Sequence, residues 1–294
     1  MTRYEFVDAN KAAGFPVTAA CETMEVSTSG YYGWQARVDA GPTGRQLADA
    51  ELVGLIRQLH QDSDGTYGVP RIGMALRKAG MRVNTKKLRR LMRQAGIVGR
   101  YTRPRVRTTI GGPEHAVIPD LVGRRSAPGA PDLVWVQDIT YIATSEGWLY
   151  LAAVLDLGSR RLLGYSMADH MRAELVVDAL TMAVTARGGS MNATIAHADQ
   201  GTQYTSHTYL QWLSAKGLRP SLGSVRDCFD NAVAESFWAT LKRECVNGQI
   251  YRNHADARRA IFAWINRYNH QRIHTTLGGL TPTEWEQQHQ QQAA

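Results

Sequence analysis

Three acidic residues, Asp138, Asp199 and Glu235, stand in settings that suit phosphodiester chemistry. Asp138 is embedded in an apolar, β-rich run, Leu133-Val134-Trp135-Val136-Gln137-Asp138-Ile139-Thr140-Tyr141-Ile142. Asp199 ends the short run from Thr194 and is followed by Gln200-Gly201, and Glu235 lies in a helix-like stretch from Asn231 to Lys242. Positions 200–234, 35 residues, separate the second acid from the third. Carboxylates held together on a rigid scaffold bind Mg²⁺, a hard cation that prefers oxygen ligands. Two such ions about 3.5–4 Å apart clamp the attacking and leaving oxygens of a phosphodiester. Taken singly, each acid has a plainer reading. Asp138 would be half of a buried ion pair, Asp199 a turn former before Gly201, and Glu235 a first-turn acid favoured by the helix dipole.

Together the three acids say more. An early strand, the end of a later strand and a following helix can aim three carboxylates at one point. Glu235, Trp238, Ala239 and Lys242 share a helical face by the i, i+3, i+4, i+7 rule. Lys242 is therefore expected about two turns from the metal site, holding a phosphate beside the cut. The expected division of labour is one ion on Asp138 and Asp199 to activate water or a 3′-hydroxyl, and a second on Asp138 and Glu235 for the leaving 3′-oxygen. His197, next but one to Asp199, reads as a supporting or structural residue.

The elements that must position these residues are legible in the pattern. From Asp132 the chain becomes α/β: strands near 133–143, 148–157 and 161–168, a helix over 173–186, a strand at 194–198, a helix over 206–216, a strand at 219–222, and a helix capped by Asp230 that carries Glu235. Three strands followed by alternating helices and strands imply one mixed, five-stranded sheet with helices on its faces. Helices near 254–269 and 282–291 follow. Trp135, Trp148, Trp238 and Trp264 stand at strand and helix spacing, which favours core over base stacking. The Asn269, Arg272, His274 cluster reads as a packing device for the C-terminal helices.

Upstream, residues 1–40 form a small helical unit that is either a helix-turn-helix or a plain hairpin, with Ser27 or Thr28 capping its second helix. Residues 45–99 hold a clearer helix-turn-helix: a long helix, a short one from Arg71 to Ala79 stopped by Gly80, and a reader helix from Lys86 to Ala95 capped by Asn84 or Thr85. No Asp or Glu occurs from Arg71 through Arg107. Arg82, Lys86, Lys87, Arg89, Arg90 and Arg93 crowd the second helix and its approach, a density of like charge that phosphates would relieve. A basic linker over 100–131, the acidic core over 132–250 and a helical extension over 251–294 complete the expected domain plan.

Composition sets the outer bounds. The 294 residues carry a net charge of +8 and a hydrophobic share of 44%, which together give a sizeable core and a preference for polyanions. Cys21, Cys228 and Cys245 form no C-x-x-C pair and no even set, so they read as reduced thiols of a cytosolic protein. The apolar run near Trp148–Leu155 is too short to span a bilayer, and no signal-peptide core opens the chain.

With these motifs in view, the chain resembles bacterial insertion-sequence transposases whose catalytic core is like retroviral integrase. More narrowly it is similar to the second-reading-frame product of the large family that moves through a circular intermediate. The carriers span nearly the whole chain: Phe15-Pro16-Val17 with Ser29-Gly30-Tyr31-Tyr32, Tyr67-Gly68 with Arg71-Ile72, Trp135 to Tyr141, His197 to Gly201 with Tyr204, Asp230-Asn231-Ala232 with Glu235-Ser236-Phe237, and Tyr268-Asn269, Arg272, His274, Leu277 and Pro282. The resemblance implies a ribonuclease H-like fold, Asp138, Asp199 and Glu235 as ligands of two Mg²⁺ or Mn²⁺ ions, and cleavage of double-stranded DNA at element ends followed by strand transfer. It further implies an upstream-frame transposase partner, a homo-oligomer on DNA and a location on the bacterial nucleoid in the cytoplasm. Arg226 stands where similar proteins often carry a small residue. The rival readings are a DNA-binding regulator with an inactive core and a ribonuclease H-type nuclease acting on RNA–DNA hybrids.

Overall fold

The computed structural model describes residues 1–100, 118–123, 129–189, 191–223 and 232–293. Most of the expected basic linker, Arg226, Cys228 and the Asp230 cap lie outside the described residues. Three short helices open the chain: α1 (Arg3–Ala12), α2 (Val17–Thr23) and α3 (Thr28–Asp39). They close on a small core of Val7, Ala20, Cys21 and Tyr31. The cap of α3 is Ser27, whose hydroxyl accepts from the Gly30 N–H. Apolar periodicity does not mark a helix at α1, although its Thr2–Glu5 capping box is a local signal for one.

The next unit is α4 (Gly44–Asp62), α5 (Val69–Lys78) and α6 (Thr85–Gln94). Thr43 and Gln46 form a capping box on α4, and Asn84, not Thr85, caps α6 by accepting from the Lys86 N–H at 2.8 Å. Gly80, at φ +81°, ends α5 in the left-handed region that costs glycine little. Ile56, Ile72, Leu76, Leu88, Leu91 and Met92 fill the core between the three helices.

The central sheet has five strands: β1 (Val134–Thr144), β2 (Gly147–Asp156), β3 (Leu162–Ala168), β4 (Ile195–Ala198) and β5 (Arg219–Leu222), in the order β3-β2-β1-β4-β5. β1, β2 and β3 run as an antiparallel meander, and β4 and β5 add in parallel beside β1. One face is covered by α7 (Ala173–Ala186) and α8 (His207–Ala215), with Trp135, Val154, Leu180 and Leu213 among the buried side chains. The other is covered by α9 (Ala232–Leu241) and α10 (His254–His270), where Val136, Ile142 and Leu149 meet Phe237, Trp238, Trp264 and Tyr268. The α10 side chains thus share one core with the sheet.

Polar clamps tie the remaining parts to this core. Asn269 accepts from the Leu162 N–H at 3.0 Å and donates to its carbonyl at 2.9 Å, completing an edge of β3. Glu286, on α11 (Pro282–Ala293), is buried and is bound by Arg161, Arg187 and the Ser159 hydroxyl. Glu244, in a single π-helical turn (Lys242–Val246) that continues α9, is buried and takes a two-pronged pair from Arg272, with Nη2 to Oε1 at 2.9 Å and Nε to Oε2 at 3.1 Å. Removing one partner of such a buried pair costs about 3–5 kcal/mol. The Tyr67 hydroxyl accepts from the Ile273 N–H at 2.8 Å, and Ile273 itself enters the α4–α6 core, so the helical unit is seated on the C-terminal segment. Burial holds His274 neutral, pushing its imidazole down to about 3, with Arg272 adding to the effect. Its ring packs edge-on against Tyr268, in keeping with a packing role for this cluster.

Candidate active site and DNA interface

The sheet register explains how two of the acids meet. β1 and β4 are parallel with Val134 opposite Ile195, Trp135 opposite Ala196 and Val136 opposite His197. The pairing stops there, and each acid follows two residues on: Asp138 within β1 as the two strands part, and Asp199 just past the end of β4. The two carboxylates are near enough that the charge of Asp199 acts on Asp138. The third acid arrives on α9, which packs on the face of β1 that bears Asp138. Trp238 stands one turn after Glu235 and donates its indole N–H to Asp138 Oδ2 at 2.9 Å.

Asp138 is half-buried and Asp199 and Glu235 are exposed. Burial pushes the Asp138 carboxyl up to about 7, and the charges of Asp199 and then Glu235 add to that rise, while the Ile139 N–H and the Trp238 indole oppose it. Among the described residues Asp138 has no ion-pair partner, which removes its plainer reading as half of a salt bridge. Asp199 Oδ1 accepts from the Gly201 N–H at 3.1 Å. A Cβ on Gly201 would fall 3.1 Å from that oxygen, which keeps this turn tight. Among the described residues no three His, Cys, Asp or Glu side chains already enclose a cation-sized space. The acids therefore sense one another's charge without forming a closed cage.

Two further residues lie close to the acids. His197 is buried, its Nδ1 lies 3.0 Å from the Ser221 hydroxyl on β5, and burial lowers its basicity. It is a sheet-packing residue. Tyr204 was legible only as a motif position. Its hydroxyl is buried and has no hydrogen-bond partner among the described residues, and burial, with the charges of Asp138 and Asp199, holds it protonated.

Lys242 does not complete the α9 face as a straight helix would. The α-helical ladder ends at Leu241 and Lys242 opens the π turn. Its Nζ stands 5.3 Å from the centroid of the Tyr141 ring, on the same strand as Asp138.

The basic helix divides into two sides. Lys86, Arg89 and Arg93, at i, i+3 and i+7, form one exposed face, and Arg82 is exposed at its approach. Lys87 and Arg90 turn inward and both pair with Asp49 of α4, each at 2.7 Å. The charge crowding read from the sequence is therefore relieved in part from within the protein, by an acid 38 positions before Lys87. Among the described residues, no helix is long and apolar enough to cross a membrane.

Comparison with known proteins agrees with this organisation. The integrase core domain family matches residues 128–228, a second integrase core description matches 216–282, and an HTH-like domain matches 46–105. The chain is 35% identical over 275 residues to the 31 kDa protein of insertion element IS600 from Shigella sonnei, covering 93% of this chain and 100% of that one. It is 34% identical over 288 residues to transposase InsF of insertion sequence IS3A from Escherichia coli K12, covering 97% and 98%. The HTLV-2 integrase catalytic core, solved in complex with magnesium, aligns with 54% of this chain and 99% of its own at 15% identity and a TM-score of 0.42. On the strength of the full-length relatives and the matched domains, the chain belongs to the insertion-sequence transposases, DNA-recombining enzymes built on an integrase catalytic core behind an HTH-like domain.

Proposed function

We propose that Asp138, Asp199 and Glu235 hold two Mg²⁺ or Mn²⁺ ions and that this site cuts double-stranded DNA at element ends and joins the resulting 3′-hydroxyl to a target. The observation that supports this most directly is Asp138: a half-buried carboxylate, fixed by an indole from the glutamate's own helix, facing two like charges and, among the described residues, no ion-pair partner. Hard oxygen donors in that state suit a hard divalent cation. When bound, such ions activate the attacking oxygen and stabilise the leaving one. The chain's residues do the rest. Trp238 and the Ile139 N–H orient Asp138, the Gly201 N–H orients Asp199, and Lys242 grips a phosphate beside the cut. Catalysis is then positioning and charge neutralisation, with no covalent protein–DNA intermediate. The same reading takes residues 45–99 as the end-binding domain and 132–250 as the catalytic one, places the protein with DNA in the bacterial cytoplasm, and adds an upstream-frame partner and a homo-oligomer that bridges two ends.

A strand-joining assay tests this. Labelled duplexes carrying the element's terminal repeats should be nicked and joined to target DNA only with a divalent cation, and RNA–DNA hybrids should be left intact. Cutting of hybrids with no joining of DNA would favour the nuclease reading. Binding separates from chemistry on α6. Arg89→Ala should lower the slope of log affinity against log salt by roughly one unit, as expected for one lost phosphate contact. Arg90→Ala should change the slope less, since its charge already serves Asp49. Equal effects would contradict the division of that helix into two sides.

A further inference from the structure

Among the described residues five large aromatic side chains are at least half exposed, Phe15, Tyr32, Tyr141, Trp148 and Phe262, and of these Tyr141 and Trp148 meet on the strand pair that carries Asp138. Trp135, Trp238 and Trp264 are at most 5% exposed, whereas Tyr141 is 56% and Trp148 52% exposed. The two are cross-strand neighbours on the β1–β2 hairpin: Ala143 lies opposite Trp148, and Tyr141 opposite Tyr150. Their rings meet edge to face, 4.9 Å between centroids and 81° between planes, so each holds the other in place while a face stays open to solvent. Lys242 comes in over the Tyr141 ring at 5.3 Å.

The position of this pair matters as much as its exposure. β4 pairs with β1 only as far as Val136, and among the described residues the edge of β1 beyond it meets no further strand, apart from an isolated bridge between Thr144 and Tyr251. Asp138 lies at the start of that open edge on one face of the sheet. Tyr141, three residues on, lies on the other face, about 10 Å along the strand. That distance equals roughly three stacked nucleotides. A rigid duplex does not fold around the edge of a sheet, whereas an unpaired strand does. Aromatic faces beside a cation are the recognised platform for unpaired bases, because every base has a π-face and every phosphate a charge.

We infer that Tyr141, Trp148 and Lys242 form a seat for an unpaired nucleobase of the DNA strand that passes the carboxylates, with the base stacked on the aromatic pair and the adjoining phosphate on the lysine. The inference rests on the reading of this site as one that cuts DNA. It adds a requirement: the end must fray by a few nucleotides at the site, and the seat captures what is released.

The test uses the full chain and two terminal-repeat duplexes that differ only in whether the last three base pairs are paired or mismatched, with 2-aminopurine in the strand tip. Binding is read in EDTA, so that no cleavage intervenes. Wild type should bind the frayed end more tightly and quench 2-aminopurine. Tyr141→Ala and Trp148→Ala should lose between about fivefold and a hundredfold of affinity for the frayed end, the range for one stacked base, with little change on the paired end. Tyr141→Phe and Trp148→Phe should restore most of it. Both residues are exposed, and unchanged thermal melting of the variants confirms their fold. Wild-type preference that survives in the alanine variants, or absent quenching, overturns the inference. So does a shift of oligomeric state in the variants with unaltered DNA binding, which would assign the patch to contact between copies of the chain. If wild type binds neither duplex, the failure lies with the DNA-cutting reading itself.

Discussion

Asp138→Asn should abolish metal-dependent strand cleavage, lowering the rate by at least about 10³-fold, while leaving DNA binding intact or stronger. The substitution keeps the shape of the side chain and one acceptor oxygen, which can serve the Trp238 indole, bonded at 2.9 Å in the native chain, or the Ile139 N–H, but not both. It removes the charge that a divalent cation would need, and each 1.36 kcal/mol of lost transition-state stabilisation is a factor of ten in rate. Several kcal/mol are at stake when a metal-supported oxygen loses its ligand. Removing a negative charge next to the DNA path should, if anything, favour the polyanion. Gel-based nicking in Mg²⁺ and in Mn²⁺, paired with a binding isotherm, checks both halves. A variant that still nicks at the wild-type rate would take Asp138 out of the site.

The second large effect is on stability and carries the opposite sign. The native carboxyl of Asp138 sits at about 7, against an ordinary value of 3.8. A group whose native pKa is raised is protonated more readily when folded, so its contribution is intact below about pH 4. That contribution is lost as pH rises toward and through 7. A shift of about three units corresponds to at most about 4 kcal/mol, less to the extent that the side chain remains in contact with solvent. Asp138→Asn should therefore raise the melting temperature of the metal-free protein at pH 8, by about 2–4 °C for each kcal/mol recovered, and the gain should fade by pH 5. Asp156, which burial pushes up to about 6, contributes the same slope to both proteins and cancels in the difference. Added Mg²⁺ should stabilise the wild type at pH 8 and not the variant. Melting curves across pH, with and without Mg²⁺, provide the check. A variant that melts lower than wild type at pH 8 would show that Asp138 is paired after all.

The sheet was legible because its strands carry their own signals: β-branched and aromatic runs ended by Gly or by Ser145-Glu146-Gly147, alternating with helical periodicity from Ala173 onward. The three acids are singled out only by their settings taken together, Asp138 within an apolar strand run, Asp199 at the close of one and Glu235 early in a helix, and by the resemblance that names them as a set. What sequence spacing missed is long-range. The pairing of Lys87 and Arg90 with Asp49 depends on how α4 crosses α6, which no local rule encodes. The π turn at Lys242 breaks the 3.6-residue rule, and Glu244 within it is held by Arg272, 28 positions downstream, a contact that no local spacing encodes. Trp148 was read as core from its strand setting, yet the sheet leaves its face uncovered at the hairpin end. Helix α1 was missed although its capping box was present, because its apolar positions are too few to mark a face.

The most direct test of the carboxylate site is anomalous scattering from crystals of the protein soaked in Mn²⁺. Manganese should bind between Asp138 and Asp199, with Glu235 joining the same centre once DNA is present. Manganese held elsewhere, or a Glu235 carboxylate that does not reach the same centre in the DNA-bound state, would contradict it.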